Sequence, residues 1–442
     1  MMKMVKMNLF GSAGIRGIVG KEINEDFSRK IGNTLTKYVK SKGKDEIFLG
    51  MDTRISSKAL KKSLISGLGL KIYDCEIIPT PVLGFVCKEF EKYGIMITAS
   101  HNPKEYNGFK IFNDKGISFY EKEQENFENI FRDIKKRNLE SKIEKFNALE
   151  FYENRIIKNC FKKINICSNF LIDFSNGAAT SLISLFERIN QDIKFINYKP
   201  NGFLQKPEPT EKSLEKTIKY MKNKKIDFCM AFDGDGDRVV FIDKFGYIPP
   251  IDSCGVFARE RCLKRKNKKI STNIEVSKKI EELVNGVGGK ISKTRVGDVA
   301  ITHNMLEIGG ETAIEQCGHL FSRESIPGPD PIYSSLWLLK EIKDTRKIRK
   351  ISEKTKKFYF RKQSIPCKNK TKIEKKVIEK LTEYAVKRNL NYETTDGIRI
   401  DWKDAFLLIR KSGTEDVIRI TAEADREKKA NDLIQFGCET IV

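Results

Sequence analysis

Four short stretches of this 442-residue chain hold residue types and spacings suited to phosphate chemistry. The densest is Asp233-Gly234-Asp235-Gly236-Asp237-Arg238. Three carboxylates at alternate positions, separated by glycines, gather oxygen ligands from a tight loop whose backbone can curl around a hard cation. Left alone they would repel one another, so a divalent ion is the natural counter-charge, with Mg²⁺ favoured where phosphate is handled. An EF-hand begins similarly, but its sixth and twelfth positions call for Gly and Glu. Here they are Arg238 and Lys244, which excludes it.

The second stretch, Thr98-Ala99-Ser100-His101-Asn102-Pro103, follows an apolar run and offers Ser100 as a nucleophile on a loop held by a strand. Asn-Pro also starts ordinary turns, so a plain turn is the competing reading. His101 is one of only three histidines, and Lys110 follows in Tyr106-Asn107-Gly108-Phe109-Lys110, which favours a site. The third, Arg410-Lys411-Ser412-Gly413-Thr414-Glu415, joins two strand patterns, with Arg419 just inside the second. Backbone N–H groups around Gly413, two hydroxyls and forked guanidinium groups suit phosphate, although Ser-Gly-Thr alone could be a hairpin turn. The fourth, Glu315-Gln316-Cys317-Gly318-His319, could face sugar hydroxyls; a packed histidine in a polar turn explains it as well. No Walker A loop occurs, because Gly289-Lys290 is followed by Ile291 and preceded by Val284 where Gly is needed. The protein-kinase motif set is absent too. Ordinary nucleotide hydrolysis is therefore not expected.

The elements that must position these loops alternate between strand and helix. Glu46–Gly50, Ile77–Pro81 and Gly94–Thr98 read as buried strands, and Leu60, Leu64, Leu68 and Ile72 mark a helix between the first two. Glu121 to Asn159 is polar and helix-prone, a connection into a second unit. There Phe170–Phe174 and Ile226–Phe232 read as strands, the latter broken by the acidic loop and resumed at Val239–Asp243. A third unit begins near Pro249-Pro250, with Ile270–Thr272, a helix over Glu275–Val284, and Lys290–Thr294; Lys340–Lys357 reads as a solvated helix or linker. At the end, Ile398–Trp402, Phe406–Arg410 and Val417–Ala422 read as antiparallel strands and Glu427–Cys438 as a closing helix. The expected organisation is three α/β domains with mixed sheets and flanking helices, over 1–145, 146–250 and 251–350, and a C-terminal α+β domain over 351–442.

Composition bounds the setting. Hydrophobic residues at 39 % and charged residues at 32 % fit a folded chain rather than a disordered one. No apolar run is long enough to cross a bilayer and no signal-type core opens the sequence, so a cytoplasmic protein without a membrane partner is expected. Ten scattered cysteines form no C-x-x-C pair and are expected as reduced thiols, without a zinc site. The net charge of +23 comes from short runs such as Lys264–Lys269 and Arg346–Lys350 with no aromatic-interleaved motif. It reads as solvated surface and attraction for anionic small molecules, with nucleic-acid binding the weakest of the readings.

Taken in order, these loops and Phe10-Gly11-Ser12-Ala13-Gly14-Ile15-Arg16-Gly17 resemble the α-D-phosphohexomutase family across the whole chain. The resemblance implies four domains around a central cleft and a reaction that interconverts hexose 1-phosphate and 6-phosphate through a 1,6-bisphosphate. It implies a phosphoserine at Ser100, Mg²⁺ held by Asp233, Asp235, Asp237 and the Ser100 phosphate, and Arg16 and Lys110 near the moving phosphate. Proton transfer falls to Lys110 or His101. Arg238, Thr294, Gly297, Asp298, Glu315, Cys317 and His319 would read the sugar, and Arg410, Ser412, Gly413, Thr414 and Arg419 would clamp the unreactive phosphate. Ile97-Thr98-Ala99-Ser100 and Tyr106-Asn107-Gly108 look most like archaeal-type phosphoglucosamine mutases and phosphomannomutases. The Glu315-Gln316 pair leans toward glucosamine phosphate, with a phosphomannomutase/phosphoglucomutase as the runner-up. A monomer or homodimer is expected. A relic that only binds phosphosugar or a polyanion is the rival from another class. Departures stand at Ser12 (usually Thr), Cys317 (usually Ser), Pro331 (usually Gly), and Lys411 and Asp416 (usually Pro), the last two implying a less rigid phosphate loop.

Overall fold

The computed structural model describes residues 9–11, 13–159, 169–203, 207–413 and 415–441. Contacts divide the chain into one unit of residues 1–249 and 318–346 and another of 250–317 and 347–442.

The first unit holds two mixed sheets. One runs in the order Ile15–Ile18, Tyr106–Phe112, Tyr93–Ile97, Glu46–Met51, Lys71–Ile77, Ile143–Lys145. Its central strands are parallel and Tyr106–Phe112 is antiparallel to both neighbours. The core beneath it gathers Ile47, Leu49, Ile95, Ile97, Ile111 and Leu64, each fully buried or nearly so. At about 25 cal/mol per Å² of apolar surface, each such side chain stabilises the fold by about 1.5–3 kcal/mol. The flanking helix Glu25–Ser41 starts where Asn24 accepts the Phe27 N–H at 2.8 Å, with Glu25 and Asp26 in its first turn. The second sheet runs Gly246–Ile248, Val239–Asp243, Phe228–Phe232, Phe170–Asp173, Lys194–Ile196.

The other unit contains the parallel strands Lys290–Thr294, Lys269–Asn273 and Thr312–Glu315, backed by helices including Pro250–Lys264 and Asp298–Glu307. It also contains a fully antiparallel sheet, Tyr359–Pro366, Val417–Ala424, Ala405–Lys411, Ile398–Trp402, Asn391–Glu393, packed by helices Lys370–Lys387 and Glu427–Ile441. Three α/β parts and a C-terminal α+β part is thus the architecture. No described helix is long and apolar enough to cross a membrane.

Three local expectations fail. Leu60, Leu64, Leu68 and Ile72 do not share one helix: helix Ser57–Gly67 stops at Leu68, whose backbone is extended, and Ile72 lies in strand Lys71–Ile77. Ile77–Pro81 is not a strand: the strand ends at Ile77 and a helix, Thr80–Glu89, begins with Pro81 in its first turn. Proline's fixed φ and missing N–H suit a helix start and cannot serve a sheet interior. The stretch from Glu121 to Asn159 is two helices, Lys122–Asp133 and Ala148–Asn159, with the edge strand Ile143–Lys145 between them. That strand is wholly exposed, so it carries no apolar alternation to read.

Candidate active site

Two turns of the first unit bring the chemistry together. The acidic loop spans the antiparallel strands Phe228–Phe232 and Val239–Asp243, pinned where Phe232 pairs with Val239. The Ser100 loop leaves strand Tyr93–Ile97 and returns as Tyr106–Phe112. Gly108 permits that return: a Cβ there would lie 2.0 Å from the Ile15 carbonyl oxygen. The same close pairing sets Arg16 opposite Gly108.

Ser100 is buried and holds φ near +50°, the left-handed region that a non-glycine residue adopts at a cost of about 1–2 kcal/mol. Its Oγ donates to Asp233 Oδ2 at 3.0 Å and lies 3.2 Å from His101 Nδ1. Its N–H donates to Thr98 Oγ1 at 2.8 Å. Gly234 lies against this turn so closely that a Cβ would sit 2.8 Å from the Ser100 carbonyl oxygen.

Asp233, Asp235 and Asp237 are all buried, and one carboxylate oxygen from each falls within 4.8 Å of the others. Burial, reinforced by the Asp237 and Asp235 charges, pushes the Asp233 carboxyl well above its usual range. Burial and the Asp237 charge push Asp235 up to about 6. Asp237 goes the other way: burial raises it, but His319, Lys110 and Arg238 outweigh that and hold it well below the usual range. Asp235 Oδ2 accepts from Thr80 Oγ1 at 2.7 Å, yet its Oδ1 is buried and accepts no hydrogen bond. A buried acceptor left unmet costs about 1–3 kcal/mol. Convergent hard oxygens, mutual repulsion and this orphaned atom fit a divalent cation.

The cations of this unit surround the triad. Lys110 is buried, with Nζ 3.5 Å from Asp237 Oδ2. Arg16 Nη1 donates to Asn102 Oδ1 at 3.0 Å, on the loop that carries Ser100. The Arg238 N–H donates to Asp233 Oδ1 at 3.1 Å, and its guanidinium lies 3.7 Å from Glu208. His319 Nε2 lies 3.2 Å from both Asp237 Oδ1 and Arg238 Nε, so it can donate to the first or accept from the second. Burial, then Arg238 and Arg16, hold His101 down to about 2, so its imidazole is neutral. Ser100, His101, Lys110, Arg16, the three aspartates, Arg238 and His319 therefore all belong to one unit, drawn from sequence positions more than 300 residues apart.

The remaining expected residues belong to the other unit. Thr294 ends the strand Lys290–Thr294, where its carbonyl accepts the Ile274 N–H at 2.8 Å. Gly297, with φ +127°, turns the chain into helix Asp298–Glu307. Glu315 is buried, its carboxylate accepting from Asn273 Nδ2 at 2.9 Å and from the Cys317 thiol at 3.4 Å. In the C-terminal loop Arg410 is buried, with Nε 3.2 Å from Glu275 Oε1. Arg419 Nη2 donates to Glu415 Oε2 at 2.5 Å at the surface. Ser412 is buried, its N–H donating to the Val417 carbonyl at 2.9 Å and its Oγ accepting from the Glu415 N–H. A Cβ at Gly413 would meet open space. Thr414 and Ser12 lie outside the described residues. Lys411 has uses for its position that proline would lack: its N–H donates to Glu374 Oε1 at 2.8 Å and its Nζ to Oε2 at 2.6 Å. Asp416 likewise has a partner, its carboxylate 3.4 Å from Lys370 Nζ.

Sequence reasoning passed over Arg54, Thr80 and Phe203, which hold the Ser100 turn and the acidic loop from behind. Only the Asp52-Thr53-Arg54 run at a strand end hinted at them.

Comparison with known proteins covers the chain almost completely. Models of phosphoglucomutase/phosphomannomutase α/β/α domains I, II and III match residues 7–138, 151–246 and 252–359, and the model of the C-terminal domain matches 364–436. The phosphoglucosamine mutase of Methanocaldococcus jannaschii is 33 % identical over 457 aligned positions, covering 98 % of each chain. A phosphoglucomutase/phosphomannomutase family protein from Burkholderia thailandensis shares the fold, with a TM-score of 0.85 at 23 % identity, covering 99 % of this chain and 98 % of its own. The N-acetylphosphoglucosamine mutase of Aspergillus fumigatus, solved with GlcNAc-6P and magnesium, has a TM-score of 0.54 at 17 % identity, covering 82 % of this chain and 92 % of its own.

Proposed function

The chain belongs to the phosphoglucomutase/phosphomannomutase family of phosphohexomutases, and on that premise we propose that it interconverts glucosamine 1-phosphate and 6-phosphate through a phosphoserine at Ser100. One observation carries the assignment of the nucleophile: a buried serine in the left-handed region, its Oγ 3.0 Å from a carboxylate of a buried aspartate triad that has an unmet oxygen.

Phosphoryl transfer asks for positioning and charge neutralisation more than for covalent steps by the protein. In this reading, the bond from phosphorus to Ser100 Oγ breaks as a bond to a sugar hydroxyl oxygen forms. The hydroxyl proton passes to Lys110 or His101. Arg16 lies beside the Ser100 loop to oppose charge on the moving oxygens. Asp233, Asp235 and Asp237 would hold Mg²⁺ together with the serine phosphate; bound there, the ion supplies Lewis-acid neutralisation of the same oxygens. Transfer in the reverse sense, from the other end of a hexose 1,6-bisphosphate, restores phospho-Ser100 and leaves the isomeric product. Because the sugar must present either end to Ser100, the group that holds the second phosphate must accept both. Arg410, Ser412, Gly413, Thr414 and Arg419 are the residues assigned to it. Both arginines are now neutralised by Glu275 and Glu415, which an incoming phosphate would displace or share. Thr294, Gly297, Asp298, Glu315, Cys317, Arg238 and His319 are assigned to the sugar.

Glucosamine is favoured over mannose and glucose by the Glu315-Gln316 pair and by the name of the archaeal relative. The test is isomerisation of glucosamine, mannose and glucose 1-phosphates with Mg²⁺ and a trace of the matching 1,6-bisphosphate. The highest kcat/KM for glucosamine 1-phosphate supports the reading. A higher value for mannose or glucose moves the assignment to a phosphomannomutase/phosphoglucomutase, and inactivity toward all three contradicts it.

A further inference from the structure

Arg54 stands behind the Ser100 turn and reaches it through backbone carbonyls, not through a side chain assigned to phosphate, metal or sugar. It is 3 % exposed, and all five of its guanidinium N–H groups are engaged. Nη2 donates to the carbonyls of Ser100 and Asn102, each at 2.7 Å. Nη1 donates to those of Pro103 at 2.7 Å and Tyr106 at 2.9 Å. Nε donates to Asp52 Oδ2 at 3.0 Å. The same carboxylate oxygen accepts from Thr98 Oγ1 at 2.8 Å, and that hydroxyl in turn accepts the Ser100 N–H. Both sides of the Ser100 backbone are thus tied to one buried Arg–Asp pair, the carbonyl directly and the N–H through Thr98. The ring of Phe203 covers the guanidinium, 5.0 Å from ring centroid to Cζ.

This arrangement answers a question that the nucleophile poses. A serine at φ +50° relaxes to an ordinary conformation unless its surroundings over-determine it. Four carbonyls converging on one planar fork do so, and only a guanidinium supplies that many donors in fixed directions; a lysine ammonium has three on a flexible stem. We propose that Arg54, locked by Asp52 and capped by Phe203, is a positioning residue that holds Ser100 in its left-handed conformation, so that Oγ and its phosphate stay aimed at the aspartate triad. The proposal rests on Ser100 being the phosphorylated residue.

The test compares wild type with Arg54→Lys, Phe203→Leu and Phe203→Tyr. It measures kcat and KM for glucosamine 1-phosphate, the Mg²⁺ concentration giving half-maximal rate, thermal midpoint, and the rate at which glucose 1,6-bisphosphate phosphorylates Ser100, read by mass spectrometry. Misaiming a reacting atom by about 1 Å costs about a hundredfold in rate. Arg54→Lys should therefore lower kcat and the Ser100 phosphorylation rate by about a hundredfold, with KM and the Mg²⁺ requirement within about threefold of wild type. Phe203→Leu, which leaves every hydrogen bond in place, should lower kcat about three- to tenfold, and Phe203→Tyr should restore it. A kcat within threefold of wild type in Arg54→Lys overturns the proposal, as does a loss of KM, metal response and thermal midpoint in step with kcat. If Arg54→Lys does not fold, Phe203→Leu decides: unchanged kcat overturns the proposal, and a fall rescued by Phe203→Tyr upholds it. A wild-type protein that shows no phosphate on Ser100 refutes the underlying reading instead, before any variant is compared.

Discussion

In the proposed function the Ser100 turn and the Arg410–Arg419 loop both take phosphate, yet they are built differently. Around Ser100 three polar groups are backed by a second buried group: Thr98 by Asp52, Asp235 Oδ2 by Thr80, the backbone carbonyls by Arg54. In the C-terminal loop the cations lean on carboxylates, Arg410 on the buried Glu275 and Arg419 on the exposed Glu415, beside an open Gly413. The exposed Arg419–Glu415 pair is worth about 0–1 kcal/mol, whereas breaking a buried pair such as Arg410–Glu275, or the network behind Ser100, costs several. The proposed function gives a reason for the buried ties of the first region: bonds would be made and broken there. It also gives a reason for the exposed Arg419 pair of the second region, which would have to be exchangeable, releasing one phosphate and taking the other.

Substitutions should separate the two regions by which kinetic constant they move. Removing the nucleophile in Ser100→Ala should cut turnover by at least about a thousandfold while the circular dichroism spectrum and thermal midpoint stay close to wild type. Near-normal turnover would remove Ser100 from its role. Asp235→Asn should lower kcat by about a hundredfold and raise the Mg²⁺ concentration needed for half-maximal rate. A metal titration that does not move would mean the orphaned Oδ1 is not a ligand. In the exchangeable region the pattern should invert: Arg419→Ala, losing a charge-assisted bond worth about 1.5–3 kcal/mol, should raise KM about tenfold or more and change kcat much less. A kcat effect as large as that of Asp235→Asn would erase the distinction.

How much of this contrast is legible in sequence depends on where the partners lie. Asp233 to Asp237 announce themselves because three carboxylates and two glycines sit within one turn. Ser100 and the Ser412 loop are visible as polar breaks between apolar runs, and most strands around them follow from the same runs. Arg54 is not visible as a site residue, because its partners are backbone carbonyls 46 to 52 positions away and carry no residue signature. The edge strand Tyr359–Pro366 and helix Lys370–Lys387 escaped for another reason. The strand has no buried residue, and the helix buries only Glu374, Val377, Leu381 and Ala385 in a single stripe. The proline departures looked like a loss of rigidity; Glu374 and Lys370 supply ties that the loop sequence alone does not reveal.

Smaller effects sharpen the comparison further. Burial raises the Asp401 carboxyl, but Arg399, Lys293 and Lys278 outweigh it and hold it well below its usual range. Its contribution to stability is therefore present above the unfolded value of about 3.9 and is lost as pH falls below it. Thermal midpoints should drop below about pH 4, and Asp401→Asn should flatten that limb; an unchanged acid limb would show that the Arg399 pair does not stabilise the second unit. Smallest of all, Glu415→Gln should leave kcat and KM within about threefold, since it breaks only an exposed pair. A tenfold change in either would show that Glu415 is not the exchangeable partner described here.

The most direct measurement follows a labelled phosphate. The wild-type protein, phosphorylated on Ser100 with ³²P, is mixed with Mg²⁺ and unlabelled glucosamine 1-phosphate. The label on the Ser100 peptide and in the sugar phosphates is then counted over time. The account predicts that label leaves Ser100 and appears in glucosamine 6-phosphate and the bisphosphate at a rate compatible with kcat. Formation of glucosamine 6-phosphate while the label stays on Ser100 would contradict it.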